Sequence, residues 1–233
     1  DNRRSRGLGD VYKRQRYLGE QLRIWNVKKI NSLFLTHAHF GHVDGLGLFG
    51  RETMNARGIS LYCSEKMVDL IERTPNWSIL LSQGVFQPNT VKLVNLPGVS
   101  VEAIRVPHRA ELSDMHAYLI KANKTLLFLP DHDTWHETLG DHNLRSWLNY
   151  LEVDIALIDG TFYTSDELKH RSQEEVPHPP VEQTLEMLGE KREGDGRVVF
   201  IHLNHTNRLC RDDSPVTTMG WEVGNEGDIY NLT

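Results

Sequence analysis

The sequence predicts an α+β fold, and three observations carry that expectation. Short apolar runs such as "SLFLT" (32–36), "DIALI" (154–158) and "RVVFI" (197–201) read as buried strands. Between them lie segments with helix start and stop signals, among them "SEKMVDLI" (64–71) and "PPVEQTLEM" (179–187). The chain has 233 residues, of which 39% are hydrophobic, enough for one domain around one sizeable core.

The first fifteen residues, "DNRRSRGLGDVYKRQ", carry five basic residues and neither period, and read as a non-native or disordered segment. From 16 to 233 the elements follow in order. Ser32–Thr36 is a strand apolar on both faces, and a helix is expected over about 43–57, stopped by Gly58. "ISLYC" (59–63) reads as a strand, and Ser64 as the N-cap of a helix through Leu70 and Ile71. "VKLVNL" (91–96) and "VSVEAIRV" (99–106) read as neighbouring strands joined at Pro97-Gly98. "HAYLIKANKTLLFL" (116–129) reads as a hairpin turning near Asn123. Strands follow at 154–158 and 197–201. Pro179 and Pro180 open a helix through Met187 that ends near Gly189.

Composition narrows the function. A net charge of −6 argues against gripping nucleic acid as the main task. Two cysteines in no paired motif, Cys63 and Cys210, argue against a disulfide framework or a cysteine-ligated zinc site. They fit a reducing compartment, so a cytoplasmic protein is expected. Cys63 reads as core and Cys210 as a free thiol. No apolar run approaches the roughly 20 residues of a membrane span.

Polar residues follow the apolar strands with a pattern. His37 comes after Leu35-Thr36, His108 after Val106-Pro107, Asp131 after Leu129-Pro130, Asp159 after Leu157-Ile158, and His202 after Phe200-Ile201. Strands lying side by side would put these ends on one sheet edge, where sites are commonly built. His37 and His39, two apart, point the same way in an extended segment, with His42 three further on. Imidazoles with a carboxylate suit zinc, iron or manganese.

"THAHFGHVDGL" resembles the HxHxDH signature of the metallo-β-lactamase fold superfamily, with His108, Asp131 and His202 as its later ligands. "LIDGTFYTSDEL", "VPHPPVEQTLEML" and "FIHLNHTN" resemble the branch that includes the pyrroloquinoline quinone biosynthesis protein B, over about residue 20 to the C-terminus. The resemblance implies an αββα sandwich with metals at the sheet edge. Family members begin with several strands ahead of "LTHAH"; the sequence is therefore expected to be an N-terminally truncated domain. The N-terminal cysteine knuckle of the biosynthesis protein is also absent.

By the same resemblance, His37, His39 and His108 hold one metal. The second would take the motif aspartate, the next histidine, a bridging carboxylate and the last histidine, which fall on Gly41, His42, Asp131 and His202. Gly41 offers no ligand, which puts ordinary two-metal hydrolysis in question. Asp133 is the alternative to Asp131 as the bridging group. Asp159 is expected to hold a ligand histidine's free N–H, His178 to line the pocket, and His205 to act as general acid. His116, His132, His136, His142 and His170 are read as ordinary polar positions.

The function expected is a metal-dependent hydrolase-type enzyme with one or two zinc ions, iron or manganese being the other metals that the donors suit. Two alternatives stand beside it: an iron-dependent oxidase or hydroxylase in cofactor biosynthesis, and a non-catalytic metal or ligand carrier. The substrate would be a small molecule or peptide-derived. Neither membrane nor nucleic acid is an expected partner, and a homodimer is left open.

Overall fold

The structure, a computed structural model, describes residues 18–109, 111–167 and 176–233. The basic segment 1–15 and His170 lie outside the described residues. Those described fall into two compact units, one of residues 18–92 and 111–116, the other of 93–109, 117–167 and 176–233.

The first unit opens with helix α1 (Leu18–Ile24) and carries a parallel sheet in the order β1 (Ser32–Phe34), β2 (Ile59–Cys63), β3 (Phe86–Thr90). Pro88, which has no N–H to donate, sits in β3 at the sheet edge, where a proline is tolerated. In β2 the alternation is strict: Ile59, Leu61 and Cys63 are buried, and Ser60 and Tyr62 less so. Ser64 caps α3 (Glu65–Arg73) as its sequence predicts, its Oγ accepting from Met67 N at 3.1 Å. Met67 and Ile71 of α3 join Leu35, Val43, Leu46, Phe49 and the β2 residues in one core, with Leu80 from α4 (Pro75–Ser82).

The helix expected over 43–57 does not form. A four-residue helix, α2 (Phe40–Val43), runs into a 3-10 turn, Asp44–Phe49, and the chain then turns through Met54. Gly45, Gly47 and Gly50 account for this, since each glycine costs a helix interior roughly 0.5–1 kcal/mol relative to alanine.

The second unit carries a seven-stranded sheet. Its strands are β4 (Leu93–Leu96), β5 (Val99–Val106), β6 (Met115–Lys121), β7 (Thr125–Leu129), β8 (Ile155–Asp159), β9 (Arg197–Ile201) and β10 (Glu222–Val223), in the spatial order β10-β9-β8-β7-β6-β5-β4. β4–β5 and β6–β7 are antiparallel hairpins, the first turning at Gly98 with φ 78°. β7, β8, β9 and β10 run parallel, so the carboxyl ends of β7, β8 and β9 share one edge.

Helices α5 (Trp135–Leu139), α6 (Leu144–Tyr150), α7 (Val181–Leu188) and α8 (Ser214–Thr217) complete this unit. α7 starts behind Pro180 and stops at Gly189, whose φ of 62° suits glycine. The Trp135 ring is buried and its Nε1 donates to Thr184 Oγ1 at 2.7 Å, tying α5 to α7. Among the described residues no helix is long and apolar enough to cross a membrane.

Candidate metal centre

In the first unit the chain leaves β1 through Leu35, whose N–H donates to Tyr62 O at 3.0 Å, so the extended backbone persists to the histidines. His37 is buried and His39 half-buried. His37 Nε2 lies 3.0 Å from His39 Nδ1, and the His37 and His42 rings are 4.2 Å apart, centroid to centroid. The spacing of two does what it predicts. Two nitrogens each ~2.0–2.1 Å from one zinc ion stand roughly 3 Å apart, so this pair is already at ligand spacing.

The far nitrogen of each ring is engaged elsewhere. His37 Nδ1 is 3.1 Å from Thr36 Oγ1, and His39 Nε2 donates to Glu111 Oε2 at 3.2 Å. The backbone of this loop is pinned too: Ala38 N donates to Ser113 Oγ at 3.0 Å, and His116 N donates to Thr36 O at 3.0 Å.

In the second unit the shared edge of β7, β8 and β9 gathers carboxylates. His108, buried, turns Nδ1 to Asp133 Oδ1 at 2.9 Å and Nε2 to Asp131 Oδ1 at 3.4 Å. Asp133 also accepts from Arg109 N at 3.2 Å; burial pushes its carboxyl above the ordinary range. Asp133 thus holds the outer nitrogen of His108, and Asp131 faces the inner one. His178 Nδ1 sits between two carboxylates, 3.1 Å from Asp131 Oδ1 and 2.8 Å from Asp159 Oδ2. Burial alone would lower the His178 pKa, but Asp159 and Asp131 outweigh it and push it up to about 10. Burial works to raise the Asp159 carboxyl, and the facing His178 holds it below the ordinary range.

Thr161 links β8 to the last histidine. Its N and Oγ1 donate to Asp159 Oδ1 at 2.8 and 2.7 Å, so its hydroxyl oxygen accepts from His202 Nδ1 at 2.8 Å. His202 has φ 62°, a left-handed conformation uncommon outside glycine. Gly160 explains how the chain tolerates this corner. A Cβ there would stand 2.9 Å from both Ile201 O and Leu203 Cδ2, so only glycine lets the ends of β8 and β9 close up. Buried Asn207 fastens the corner by donating to Gly160 O at 2.7 Å.

The structure thus gathers His37, His39 and His42 in one unit, and His108, Asp131, Asp133, Asp159, His178 and His202 in the other. Asp159 is linked to His202 through Thr161. His178 also lines an open cleft with Asp133, Trp135 and Glu182. His205 is an exposed residue in a turn.

One reading is corrected. His132, taken as an ordinary polar position, is fully buried; its N donates to Asp159 Oδ2 at 3.3 Å and its Nδ1 pairs with Thr138 Oγ1 at 2.9 Å. Burial pulls its pKa down to about 4, so the ring is neutral at pH 7. Thr36, Glu111, Ser113, Thr161 and Asn207 also escaped the sequence reading. The signal that existed was a hydroxyl residue directly before His37 and another two places after Asp159.

The donors fit a metal ion. Within the second unit, Asp159, His178 and His202 bring donor atoms within 4.8 Å of one another. A ring nitrogen left available while its partner nitrogen is held by a carboxylate or hydroxyl is the usual state of a ligating histidine.

Comparison with known proteins agrees. The family model described as the Beta-lactamase superfamily domain matches residues 10–203. The chain is 24% identical over 231 residues to the coenzyme PQQ synthesis protein B of Methylococcus capsulatus, covering 85% of this chain and 72% of the relative. It superposes on zinc-bound PqqB from Methylobacterium extorquens with a TM-score of 0.67 and 19% identity, over 87% of this chain and 73% of that one. A diphosphatase of the PhnP family matches with a TM-score of 0.61 and 18% identity, over 91% of this chain and 75% of the other.

Proposed function

The chain belongs to the beta-lactamase superfamily and has the metallo-β-lactamase fold, and from that premise we propose that it is a metal-dependent hydrolase-type enzyme. The ligands assigned are His37, His39 and His108 for the principal ion, with His42, Asp131 and His202 completing the site. One observation carries the reading: in His37, His39, His108 and His202 the second ring nitrogen is already engaged, by Thr36, Glu111, Asp133 and Thr161. Glu111, Asp133 and the Thr161 oxygen accept, so in His39, His108 and His202 the other nitrogen is the one offered; the Thr36 hydroxyl, which can donate or accept, holds the His37 ring in place.

A bound ion lowers the pKa of water toward neutrality and polarises a scissile bond. The chain's own residues supply the rest. Asp131, buried beside His178, offers a carboxylate oxygen. His205, exposed in the turn after β9, can exchange protons with solvent and serves as general acid. Zinc is the metal assigned, on the likeness to a zinc-bound relative. The substrate assigned is a small molecule or a peptide-derived compound.

A second reading, metal-dependent oxidation in cofactor biosynthesis, is favoured by the likeness to coenzyme PQQ synthesis proteins B. One experiment separates the readings. Metal content is measured on protein purified without added metal, followed by phosphodiester and thioester hydrolysis assays. Zinc with hydrolysis supports the proposal. Iron with oxygen consumption transfers the assignment to the oxidase, and tightly held metal with neither activity makes the protein a carrier.

A further inference from the structure

The histidine loop has an electrostatic gap: between Thr36 and Val43 it contains no acid, and Gly41 offers none. The geometry points to Glu111 as the residue that fills it, acting as a positioning residue that fixes His39 as an Nδ1 ligand. This rests on the metal-site reading given above. Glu111 lies 72 positions away in sequence, yet its Oε2 is 3.2 Å from His39 Nε2. His39 Nδ1 meanwhile lies 3.0 Å from His37 Nε2.

The tautomer follows from these contacts. A carboxylate accepts and cannot donate, so it stabilises the form of His39 that carries its proton on Nε2. That form turns the Nδ1 lone pair toward the side of His37.

The placement of Glu111 is held by more than its own contact. Two residues on, Ser113 is 4% exposed and accepts from Ala38 N at 3.0 Å; further on, His116 N donates to Thr36 O at 3.0 Å. The segment 111–116 is therefore strapped along the histidine loop at three points. The strap's purpose as pure structure would need only Ser113 and His116. The Glu111 side chain is itself 57% exposed, so it adds little to the core, while its Oε2 reaches the His39 ring.

The test uses the full chain in metal-free form, titrated with zinc against a chromophoric chelator. Glu111→Ala should weaken zinc binding about 10–100-fold, the usual effect of losing such an outer partner. Glu111→Gln, which keeps an acceptor oxygen but no charge, should fall between Ala and wild type. The thermal midpoint of the metal-free protein should not move in either variant, which a structural role for Glu111 would not allow. Long-range proton–nitrogen NMR should show His39 protonated at Nε2 in the zinc-loaded wild type and a mixed tautomer in metal-free Glu111→Ala. Equal zinc affinity in Glu111→Ala and wild type overturns the inference while leaving the metal site standing. A wild type that binds no zinc overturns both.

Discussion

The two histidine-bearing regions are built on opposite principles. The loop of the first unit is local: three histidines within six residues, held by a threonine hydroxyl, a serine hydroxyl and one largely exposed carboxylate. The edge of the second unit is assembled from strand ends far apart in sequence and buries Asp131 and Asp159 around His178. The first region gives up little stability to burying charge. The second holds charges that are tolerable only while each keeps its partners. Substitutions should therefore be mild in the loop and severe at the edge.

The largest effect is expected from Asp159→Ala. Asp159 accepts from Thr161 N, Thr161 Oγ1 and His132 N and faces His178, all with 1% of its surface exposed. Its removal leaves a buried imidazolium and two backbone N–H groups short of partners, at a cost of about 3–5 kcal/mol. Urea unfolding of the metal-free protein measures it. A cost under about 1 kcal/mol would mean the edge is not the tightly coupled network described.

Gly160→Ala comes next. The new Cβ meets backbone at 2.9 Å, at Ile201 O, which cannot rotate away as a side chain can. Overpacking of this kind costs about 1–3 kcal/mol. The displaced corner carries His202, so zinc affinity should fall together with the urea midpoint. Loss of stability with affinity intact would separate the corner from the site.

Thr36→Val tests the loop's side of the comparison. It removes the hydroxyl facing His37 Nδ1 and should cost about 0.5–1.5 kcal/mol in urea unfolding, the net worth of one hydrogen bond. A penalty as large as that of Asp159→Ala would erase the distinction between the two regions.

The same contrast explains what could be read from the sequence. The loop was legible because its donors are neighbours in sequence and the extended backbone sets their direction. β2, the Ser64 cap, the hairpin turning at residues 122–124 and the end of α7 at Gly189 were legible for the same reason, each depending on a few consecutive residues. From the residues alone Asp131, Asp159 and His202 could be suspected only as strand ends, the family resemblance adding Asp131 and His202 as ligands; the shared edge depends on β7, β8 and β9 running parallel. Glu111 and Asn207 could not be found, because their roles come from contacts 72 and 47 positions away, and Thr161 gave only a weak signal beside Asp159, its link to His202 spanning 41. The helix expected over 43–57 failed where glycines overrode an apolar period. His132 was misread because burial is a property of the packed unit.

In the first unit Cys63 is strongly shifted: burial and nearby Asp114 push its thiol up to about 12. A thiol with a raised pKa stays protonated in the fold. Its stabilising share is complete below the unfolded value near 9 and is lost as pH climbs from there toward 12. At pH 8 Cys63 should not react with a thiol reagent in the native protein, whereas Cys210, only half-buried, should. Two thiols reacting at equal rates at pH 8 would show that the first unit opens readily.

The smallest effect on stability, and the sharpest on chemistry, is expected from Gly41→Asp. Gly41 lies inside α2 and is not among the residues with positive φ, so an L side chain costs its backbone nothing. An acid in the first turn is mildly favoured by the helix dipole, by a few tenths of a kcal/mol at most in so short a helix. The thermal midpoint should stay put or rise slightly. The new carboxylate stands next to His42, where the family motif has one, and zinc per chain should rise toward two. Gly41→Ala controls for adding any side chain there, and Gly41→Asn for adding an oxygen without charge; neither should raise the stoichiometry. If Gly41→Asp folds normally and still binds no more zinc than wild type, the missing carboxylate is not what limits the second site. The loop's neutrality would then be a matter of the loop's own design, with Glu111 already supplying the charge it needs.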